Sequence, residues 1–255
     1  MRIYLGVTAR DYPQASATGR RFAHVAYRIG EQSTLLRRNL PVQTRGGLLS
    51  LSDTNAPEIL HPEELCAEIL RECVRRGYNG AVLDFESPLR EDLRNFAGTL
   101  GRLLHQNGRV VYVPGVYGKD VPEAVRLICT AVSGGNFRDY LRGEIERAGD
   151  VRRVALDAER LRMDFQLPSP DGEGTALDAQ TFNALCKDRS IYFSPDLCAR
   201  YFTCMRNGEA HFILFDDADT LNRKLKTGES MGIETAFLMW PEIEDIADSL
   251  HLKEF

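Results

Sequence analysis

Two carboxylates, Asp84 and Glu86, directly follow a short apolar run and are the residues whose type and spacing best suit acid–base chemistry. Alternate residues of a β-strand point to the same side, so both carboxylates would face together while Phe85 faces away. Two close carboxylates in a partly dry site repel each other, and one of them tends to keep a proton. A protonated carboxyl beside an ionised one can act as a general acid on a glycosidic oxygen.

A structural role is the alternative for the same pair. A carboxylate at the end of a strand can cap the helix that follows it, or it can pair with Arg90 or Arg94 a few residues later. Carboxylates with shifted pKa values also occur in such structural networks. The two residues alone do not decide between catalysis and structure, so the elements that position them must be considered.

Apolar strand-like runs alternate with amphipathic helical runs along the chain. Strands are predicted at 2–7, 46–53, 80–86, 109–118, 190–194 and 233–240, with one more within 151–165. Helices are predicted at 17–30, 61–77, 90–108, 122–132, 136–149, 178–188 and 216–232. The dipeptide Asn207-Gly208 lies between two β-rich runs, which indicates a β-hairpin near the C-terminus.

This alternation predicts an α/β fold in which helices cover a parallel sheet. A closed TIM-type (β/α) barrel is favoured over an open doubly wound sheet, because no Gly-x-Gly-x-x-Gly follows the first strand. About seven strands are convincing, so the barrel is expected to be incomplete or irregular, with seven to eight strands and a β-hairpin insertion. The eighth strand is sought in residues 31–45, and the whole chain, 1–255, is expected to form one domain.

Barrels of this kind carry their active sites at the C-terminal ends of the strands. Polar or aromatic residues collect at these positions in the predicted strands: Asp53, Glu86, Tyr117, Asp164 and Trp240. We therefore expect Asp53, Glu86 and Trp240 to lie at the same rim.

The segment NGAVLDFE (79–86) resembles the fourth-strand motif DGxDxDxE of glycoside hydrolase family 18, the chitinase-like barrel enzymes. Gly80, Asp84 and Glu86 match the motif. Asn79 and Val82 stand where the family usually has aspartates.

The C-terminal segment 211–240 is similar to the final segment of the same family, especially in its spore-associated branch of peptidoglycan hydrolases. In that branch a hairpin leads into an acidic-capped helix, and the last strand ends in a tryptophan that forms the floor of the sugar site. Trp240 fills that position, and the resemblance covers about residues 46–245.

The resemblance implies retaining hydrolysis of a β-linked N-acetylhexosamine polymer, assisted by the substrate and needing no cofactor. Glu86 would protonate the leaving oxygen, the acetamide oxygen of the sugar would attack the anomeric carbon, and Asp84 would orient that acetamide. Trp240 would stack beneath a sugar ring, the alternative being a core aromatic. The other candidates for substrate binding are Asp53, Asp164, Tyr4, Tyr112 and Tyr117.

Two departures from the family keep other functions open. The sixth strand of the family usually ends in Met-x-Tyr-Asp, and the nearest counterpart here is MDFQ (163–166), in which Phe165 lacks the hydroxyl that helps hold the acetamide. Val82 cannot relay a proton to Asp84. Losing one hydrogen bond at a reaction centre costs on the order of 3 kcal/mol in the transition state. A non-catalytic carbohydrate-binding protein and an enzyme acting on another intracellular substrate are the alternatives.

Composition and short motifs argue against other classes. The net charge is −5 and basic residues are dispersed, so no nucleic-acid partner is expected; no apolar run approaches the ~18 residues of a membrane span, so no membrane partner is expected either. No spacing of the cysteines or histidines suggests a metal site, and Asp216-Asp217 is interpreted as a helix cap. The start MRIYLGVTAR lacks the pattern of a signal peptide, which predicts six reduced cysteines and a cytoplasmic location, with a spore-associated location as the alternative.

Overall fold

The chain folds into a closed barrel of eight parallel strands in the computed structural model, which describes residues 1–40, 42–169 and 172–250. The barrel strands are β1 (Arg2–Val7), β2 (Arg21–Gly30), β4 (Leu48–Ser52), β5 (Gly80–Asp84), β6 (Val110–Pro114), β7 (Val125–Cys129), β8 (Val154–Asp157) and β14 (Thr235–Met239). Strand β1 pairs in parallel with both β14 and β2, which closes the ring. The predicted TIM-type barrel is confirmed.

Helices surround the barrel unevenly. The longer ones on its outside are α2 (Pro62–Arg76), α3 (Glu91–Gln106), α4 (Phe137–Ala148) and α6 (Ala218–Ser230), and the short ones are α1 (Tyr12–Ala15) and α7 (Trp240–Ile243). Between β6 and β7 the described chain has a 3₁₀ turn followed by a segment of hydrogen-bonded turns, and no helix longer than one turn. That segment packs directly on α3, where a Cβ on Gly101 would lie 2.4 Å from Val121 Cγ1. Glycine therefore permits the close approach that replaces a helix here.

Two barrel strands were predicted as helices, and those predictions are wrong. Strand β2 lies within the predicted helix 17–30, and β7 lies within the predicted helix 122–132. Strand β2 has buried residues on both faces, and β7 carries apolar side chains on both faces although only Arg126 and Ile128 are buried, so apolar and polar residues do not alternate strictly in either strand. A buried strand of this kind cannot be told from a helix by periodicity alone. The described residues of 31–40 and 42–45 contain one strand, β3 (Thr34–Arg37), which is an antiparallel edge strand beside β2 and not the eighth barrel strand.

The chain between β8 and β14 forms a second, antiparallel sheet. Its strands are β9 (Arg162–Leu167), β10 (Thr175–Ala176), β11 (Tyr192–Ser194), β12 (Ala199–Arg206) and β13 (Glu209–Phe215), in the order β10-β9-β13-β12-β11, and α5 (Ala179–Cys186) follows β10. The predicted hairpin joins β12 to β13, with φ angles of 52° at Asn207 and 86° at Gly208. Positive φ at both positions is typical of a two-residue type I′ turn. The insertion is thus a five-stranded sheet, larger than the hairpin that was predicted.

Helix α6 begins as predicted, and the two aspartates before it have different roles. Asp217 is the N-cap and accepts from Thr220 N–H at 2.9 Å, while Thr220 Oγ1 accepts from Asp217 N–H in a capping box. Asp216 is fully buried and pairs at 2.7 Å with Lys224, which is also fully buried. The interpretation of this acidic pair as part of a helix cap is confirmed for Asp217.

One row of side chains from the barrel strands fills the interior, and two larger clusters pack between the barrel and its helices. The interior row includes Tyr4, Ala23, Leu48, Val82, Tyr112, Ala155 and Phe237. Because side chains alternate along a strand, the next inward residue after each of these lies nearer the C-terminal mouth of the barrel. The chemistry of that mouth depends on Asp84, Cys129, Asp157 and Met239, the inward residues at four strand ends.

No helix among residues 1–40, 42–169 and 172–250 is both long and apolar enough to cross a membrane. All six cysteines lie in described parts of the chain and have free thiols.

Candidate active site

A cavity of about 920 Å³ opens at the mouth of the barrel and extends over the ends of β5, β6 and β7. Its lining includes one inward-facing residue from each of the eight barrel strands: Gly6, Val25, Ser50, Asp84, Pro114, Cys129, Asp157 and Met239. The cavity is large enough for a drug-sized or oligosaccharide-sized ligand. It therefore lies at the face where barrel enzymes hold their catalytic groups.

Asp84 and Glu86 both line this cavity, from the end of the fourth barrel strand and the loop after it. Asp84 is half-buried, and burial, followed by the nearby carboxylates of Glu86 and Asp53, raises its pKa to about 6. Glu86 is exposed beyond the strand end, and its carboxylate makes no hydrogen bond or ion pair with the described residues. Phe85 points the other way, into the outer core, where its ring lies 5.7 Å from that of Tyr117. The sequence motif thus brings two carboxylates of different environment to one opening.

Asp53 lies at the same rim but is fully buried, and it does not line the cavity. Its Oδ1 accepts from the backbone N–H of Glu86 at 3.0 Å, and its Oδ2 accepts from that of Ser87 at 3.1 Å. The predicted role of Asp53 in binding substrate is therefore corrected: it holds the loop that carries Glu86.

Three further carboxylates reach the mouth that sequence reasoning did not single out. Asp157 ends β8, Glu159 follows it, and Glu242 lies on α7. Burial, with further contributions from Glu159, Glu242 and Asp84, raises the pKa of Asp157 to about 7. Burial is also the largest cause of the raised pKa of Glu242. Strands β5 and β8 both end in Leu-Asp after an apolar pair, and this repeated ending was a signal for Asp157 in the sequence.

The sixth barrel strand is β7, and its inward residue at the mouth is Cys129. Its Sγ donates to Glu159 Oε2 at 3.3 Å, and burial raises the pKa of the thiol to about 12. The segment MDFQ (163–166) lies in β9 of the inserted sheet and is not the end of a barrel strand. The prediction that Phe165 replaces a tyrosine of the sixth strand is therefore wrong, because a strand in the helix-like segment 122–132 went unrecognised.

Trp240 is 5% exposed and packs in the outer core, so it is a core aromatic in this structure. Phe237 and Met239 of β14 point into the barrel or its mouth. Trp240 is the next residue after Met239, so its side chain points to the opposite side, away from the barrel interior. Met239 lines the cavity in the place that was expected for the indole. The prediction that Trp240 forms the floor of a sugar site is corrected by this difference of one residue.

None of the three tyrosines predicted to bind substrate lines the cavity. Tyr4 and Tyr112 lie in the interior row below the mouth, where their rings are 6.3 Å apart. The Tyr112 hydroxyl interacts with Arg2 and Thr235, at the opposite end of the barrel. Tyr117 is buried in the outer core. A tyrosine that sequence reasoning missed, Tyr140 of α4, does line the cavity.

Asp164 belongs to the inserted sheet and lies away from the barrel mouth. Its carboxylate accepts from Arg206 Nη1 at 2.6 Å and lies 2.7 Å from His211 Nδ1. It lines a separate cavity of about 280 Å³ together with residues of β9, β10 and β13. The structure therefore does not bring Asp164 together with Asp84 and Glu86.

Within the described part of the chain, no group of three or more histidine, cysteine, aspartate or glutamate side chains is arranged to hold a metal ion. The polar groups that line the cavity are its carboxylates, the Cys129 thiol, the hydroxyls of Ser50 and Tyr140, and four basic side chains, Arg94, Lys119, Arg126 and Arg147. A half-buried carboxyl with a raised pKa beside an exposed carboxylate can exchange protons with a bound ligand.

The fold is similar to several solved structures at low sequence identity, whereas no protein-family model and no curated protein matches the chain. The spore cortex-lytic enzyme SleL of Bacillus megaterium QM B1551 superposes with a TM-score of 0.63 at 15% identity, over 94% of this chain and 70% of that one. A chitinase from Chromobacterium violaceum ATCC 12472 gives a TM-score of 0.66 at 14% identity, over 99% and 95%. A class V chitinase mutant from Cycas revoluta, in complex with (GlcNAc)3, gives 0.64 at 10% identity, over 98% and 97%. The chain therefore has a chitinase-like barrel fold.

Proposed function

We propose that this protein is a glycoside hydrolase that cleaves β-linked N-acetylhexosamine polymers at the mouth of its barrel. The observation that carries the proposal is the pair at the end of the fourth barrel strand. Asp84, whose pKa is raised to about 6, lies beside the exposed carboxylate of Glu86 in a cavity of about 920 Å³. Two carboxyl groups in unlike environments are the usual equipment for protonating a glycosidic oxygen and stabilising the charge that follows.

In this proposal Glu86 is the general acid. It is exposed, so it can reach the oxygen between two sugars, and the buried carboxylate of Asp53 fixes its backbone. Asp84 lies deeper and accepts the acetamide N–H of the sugar, which orients the acetamide oxygen for attack on the anomeric carbon. The acetamide oxygen bonds to the anomeric carbon while the bond to the leaving oxygen breaks and that oxygen takes the proton of Glu86. Water, deprotonated by Glu86, then attacks the anomeric carbon and opens the oxazolinium ring that the acetamide has formed.

Chitin and peptidoglycan both contain β-linked N-acetylhexosamines, and the proteins of similar fold include chitinases and a spore cortex-lytic enzyme. Peptidoglycan fragments and N-acetylglucosamine oligomers are therefore the substrates to compare. Seven carboxylates line the cavity against four basic side chains, and this excess of negative charge disfavours polyanionic substrates.

A carbohydrate-binding protein without activity is the second candidate, and a specific observation favours it. The sixth barrel strand presents Cys129 at the mouth, where a hydroxyl donor would help to hold the acetamide, and the chain's single tryptophan is buried in the core. The site therefore lacks a hydroxyl donor from the sixth strand and a tryptophan that could stack on the sugar, and both losses weaken the binding of an N-acetylated sugar. Turnover and binding must therefore be measured separately.

The test compares wild type with Glu86→Gln on an N-acetylglucosamine oligomer, with product release and binding measured in parallel. Glu86→Gln keeps the shape of the side chain but removes the proton, so turnover should fall by about 10²- to 10⁴-fold while binding is retained. Glu209→Gln, at an exposed position of the inserted hairpin, is the matched control and should leave both unchanged. Binding without any product from wild type over days would overturn the hydrolase and leave the binding protein.

A further inference from the structure

An acetamide group presents one hydrogen-bond donor, its N–H, and one strong acceptor, its acyl oxygen. A site that holds it in a fixed orientation therefore needs an acceptor and a donor of its own. Under the proposed function, on which this inference rests, Asp84 supplies the acceptor. The donor for the acyl oxygen has to come from the remaining polar groups of the mouth.

The basic side chains that line the cavity are engaged elsewhere or exposed: Arg94 pairs with Asp120, Arg147 pairs with Glu144, Arg126 donates to the backbone carbonyls of Gly118 and Arg147, and Lys119 is exposed. Few of the other lining side chains can supply the donor. Ser50 lies one layer deeper than Asp84, since it pairs in register with Val82. Cys129 already donates its S–H to Glu159. Asp157 is at the level of the mouth, since its Cα partner on the neighbouring strand is Cys129.

No cation or hydrogen-bond donor among the described residues stabilises the ionised form of Asp157. Its carboxylate makes no hydrogen bond or ion pair with the described residues. The charged or titratable groups that act on it are carboxylates: Glu159 on its own loop, Glu242 on α7 and Asp84 on β5, with the Cys129 thiol beside it on β7. From β14 its register partner is the apolar Phe237. Such surroundings favour the protonated form, which carries an O–H donor.

We propose that Asp157 is a third functional carboxyl of this site, beside Glu86 and Asp84, and that in its protonated form it donates a hydrogen bond to the acyl oxygen of the sugar's acetamide while Asp84 accepts the N–H. The two aspartates then divide the work by their environments. Burial and neighbouring charge raise the pKa of Asp84 to about 6 and that of Asp157 to about 7. At a pH between these two pKa values Asp84 is mainly ionised and Asp157 mainly protonated, so the site offers the acetamide one acceptor and one donor.

The sign of the pH effect follows from this assignment. When the pH rises through about 7, Asp157 ionises, its donor is lost, and a negative oxygen faces the acyl oxygen of the ligand. Binding of an acetamido sugar should then weaken. A neutral ligand that has a hydroxyl in place of the acetamide makes no such contact, so its affinity should not change over the same range.

The experiment measures affinity by calorimetry from pH 6.5, where Asp84 is mainly ionised and Asp157 mainly protonated, to pH 8.5, in the Glu86→Gln background, which prevents turnover. The ligands are an N-acetylglucosamine oligomer and, as control, a β-1,4-linked glucose oligomer. The parent should lose about 3- to 10-fold in affinity for the acetamido ligand across this range, the usual worth of one hydrogen bond. Asp157→Asn, whose amide donates at every pH, should bind as tightly as the parent does at pH 6.5 and show no loss. Asp157→Leu should bind weakly throughout.

Two further variants decide between Asp157 and its neighbours. Tyr140→Phe removes the tyrosine hydroxyl that lines the cavity and should leave the pH-dependent loss of affinity in place. Asp139→Asn, at an exposed position of α4, is the matched control for an aspartate substitution. A loss that persists in Asp157→Asn but disappears in Tyr140→Phe would overturn the proposal, as would equal pH dependence for both ligands.

The result separates this proposal from the proposed function. If wild type releases no product yet the acetamido ligand binds with the expected pH dependence, the hydrolase is overturned and the role of Asp157 in binding stands. If product is released but Asp157→Asn binds with an unchanged pH dependence, the hydrolase stands and Asp157 is not the donor. If no variant binds the acetamido ligand at any pH, both are overturned.

Discussion

The buried carboxylate of Asp53 holds the backbone of Glu86, accepting its N–H at 3.0 Å and that of Ser87 at 3.1 Å. The two residues lie at the ends of neighbouring barrel strands, β4 and β5, so the position of the candidate acid depends on a strand other than its own. An exposed loop residue is held in this way by a group without solvent contact.

Asp53→Asn should therefore lower turnover without removing any group that meets the substrate. One backbone N–H would face the donor side of the new amide, and a displacement of about 1 Å at a catalytic group can cost about 10²-fold in rate. We expect a fall of about 10- to 100-fold in turnover and a loss of about 1–3 kcal/mol in the free energy of unfolding. Asp178→Asn, which alters a carboxylate that accepts a backbone N–H elsewhere, should leave turnover unchanged. Unchanged turnover in Asp53→Asn would show that the loop is held by other contacts.

Trp240→Ala should destabilise the fold and should not directly weaken sugar binding. The indole is 5% exposed within the outer core, and truncating a buried tryptophan typically costs about 3–5 kcal/mol. Denaturant unfolding measures this loss, and ligand affinity is then measured under conditions where the variant is folded. Trp240→Phe retains much of the packing and should lose less stability. A variant with native stability but greatly reduced affinity would place the indole in the sugar site after all.

Asp84→Asn should stabilise the protein at neutral pH, although it removes a proposed catalytic group. The pKa of Asp84 is raised from 3.8 to about 6 in the folded state, so the fold disfavours its ionised form. Stability is therefore lost as the pH rises from about 4 to about 6 and stays lower above that range. The variant should exceed wild type by about 1–3 kcal/mol at pH 8 and by little at pH 4. Denaturant unfolding at both values tests this, and an equal difference at pH 4 and pH 8 would contradict it.

Lys224→Met should cost about 3–5 kcal/mol in the free energy of unfolding, because it leaves the carboxylate of Asp216 buried without its cation. Asp216 also accepts from Thr220 and from the backbone N–H of Leu161, so Asp216→Leu combined with Lys224→Met should recover only part of the loss. Lys226→Met, an exposed position on the same helix, is the matched control and should change stability little. A loss below about 1 kcal/mol in Lys224→Met would mean that the pair is open to water.

Much of this molecule could be predicted from short stretches of the sequence, because their signals are local. The capping residue Asp217, the turn at Asn207-Gly208 and the apolar run before Asp84 act over a few residues, and each has the predicted structure. The alternation of such elements was enough to predict the barrel. It was also enough to place Asp84 and Glu86 at a strand end.

The tertiary structure decided what depends on position around the ring. Strands β2 and β7 carry apolar side chains on both faces, so only their pairing with neighbours distinguishes them from helices. A shift of one residue turns a side chain to the opposite face, which is why Met239 lines the cavity and Trp240 lies in the core. Asp157 is distant from Asp84 along the chain, and the two line the same cavity only because the sheet closes into a barrel. The carboxyl pair at the end of β5 could be predicted from the sequence, but only the folded structure shows that Asp157 and Met239 line the same cavity.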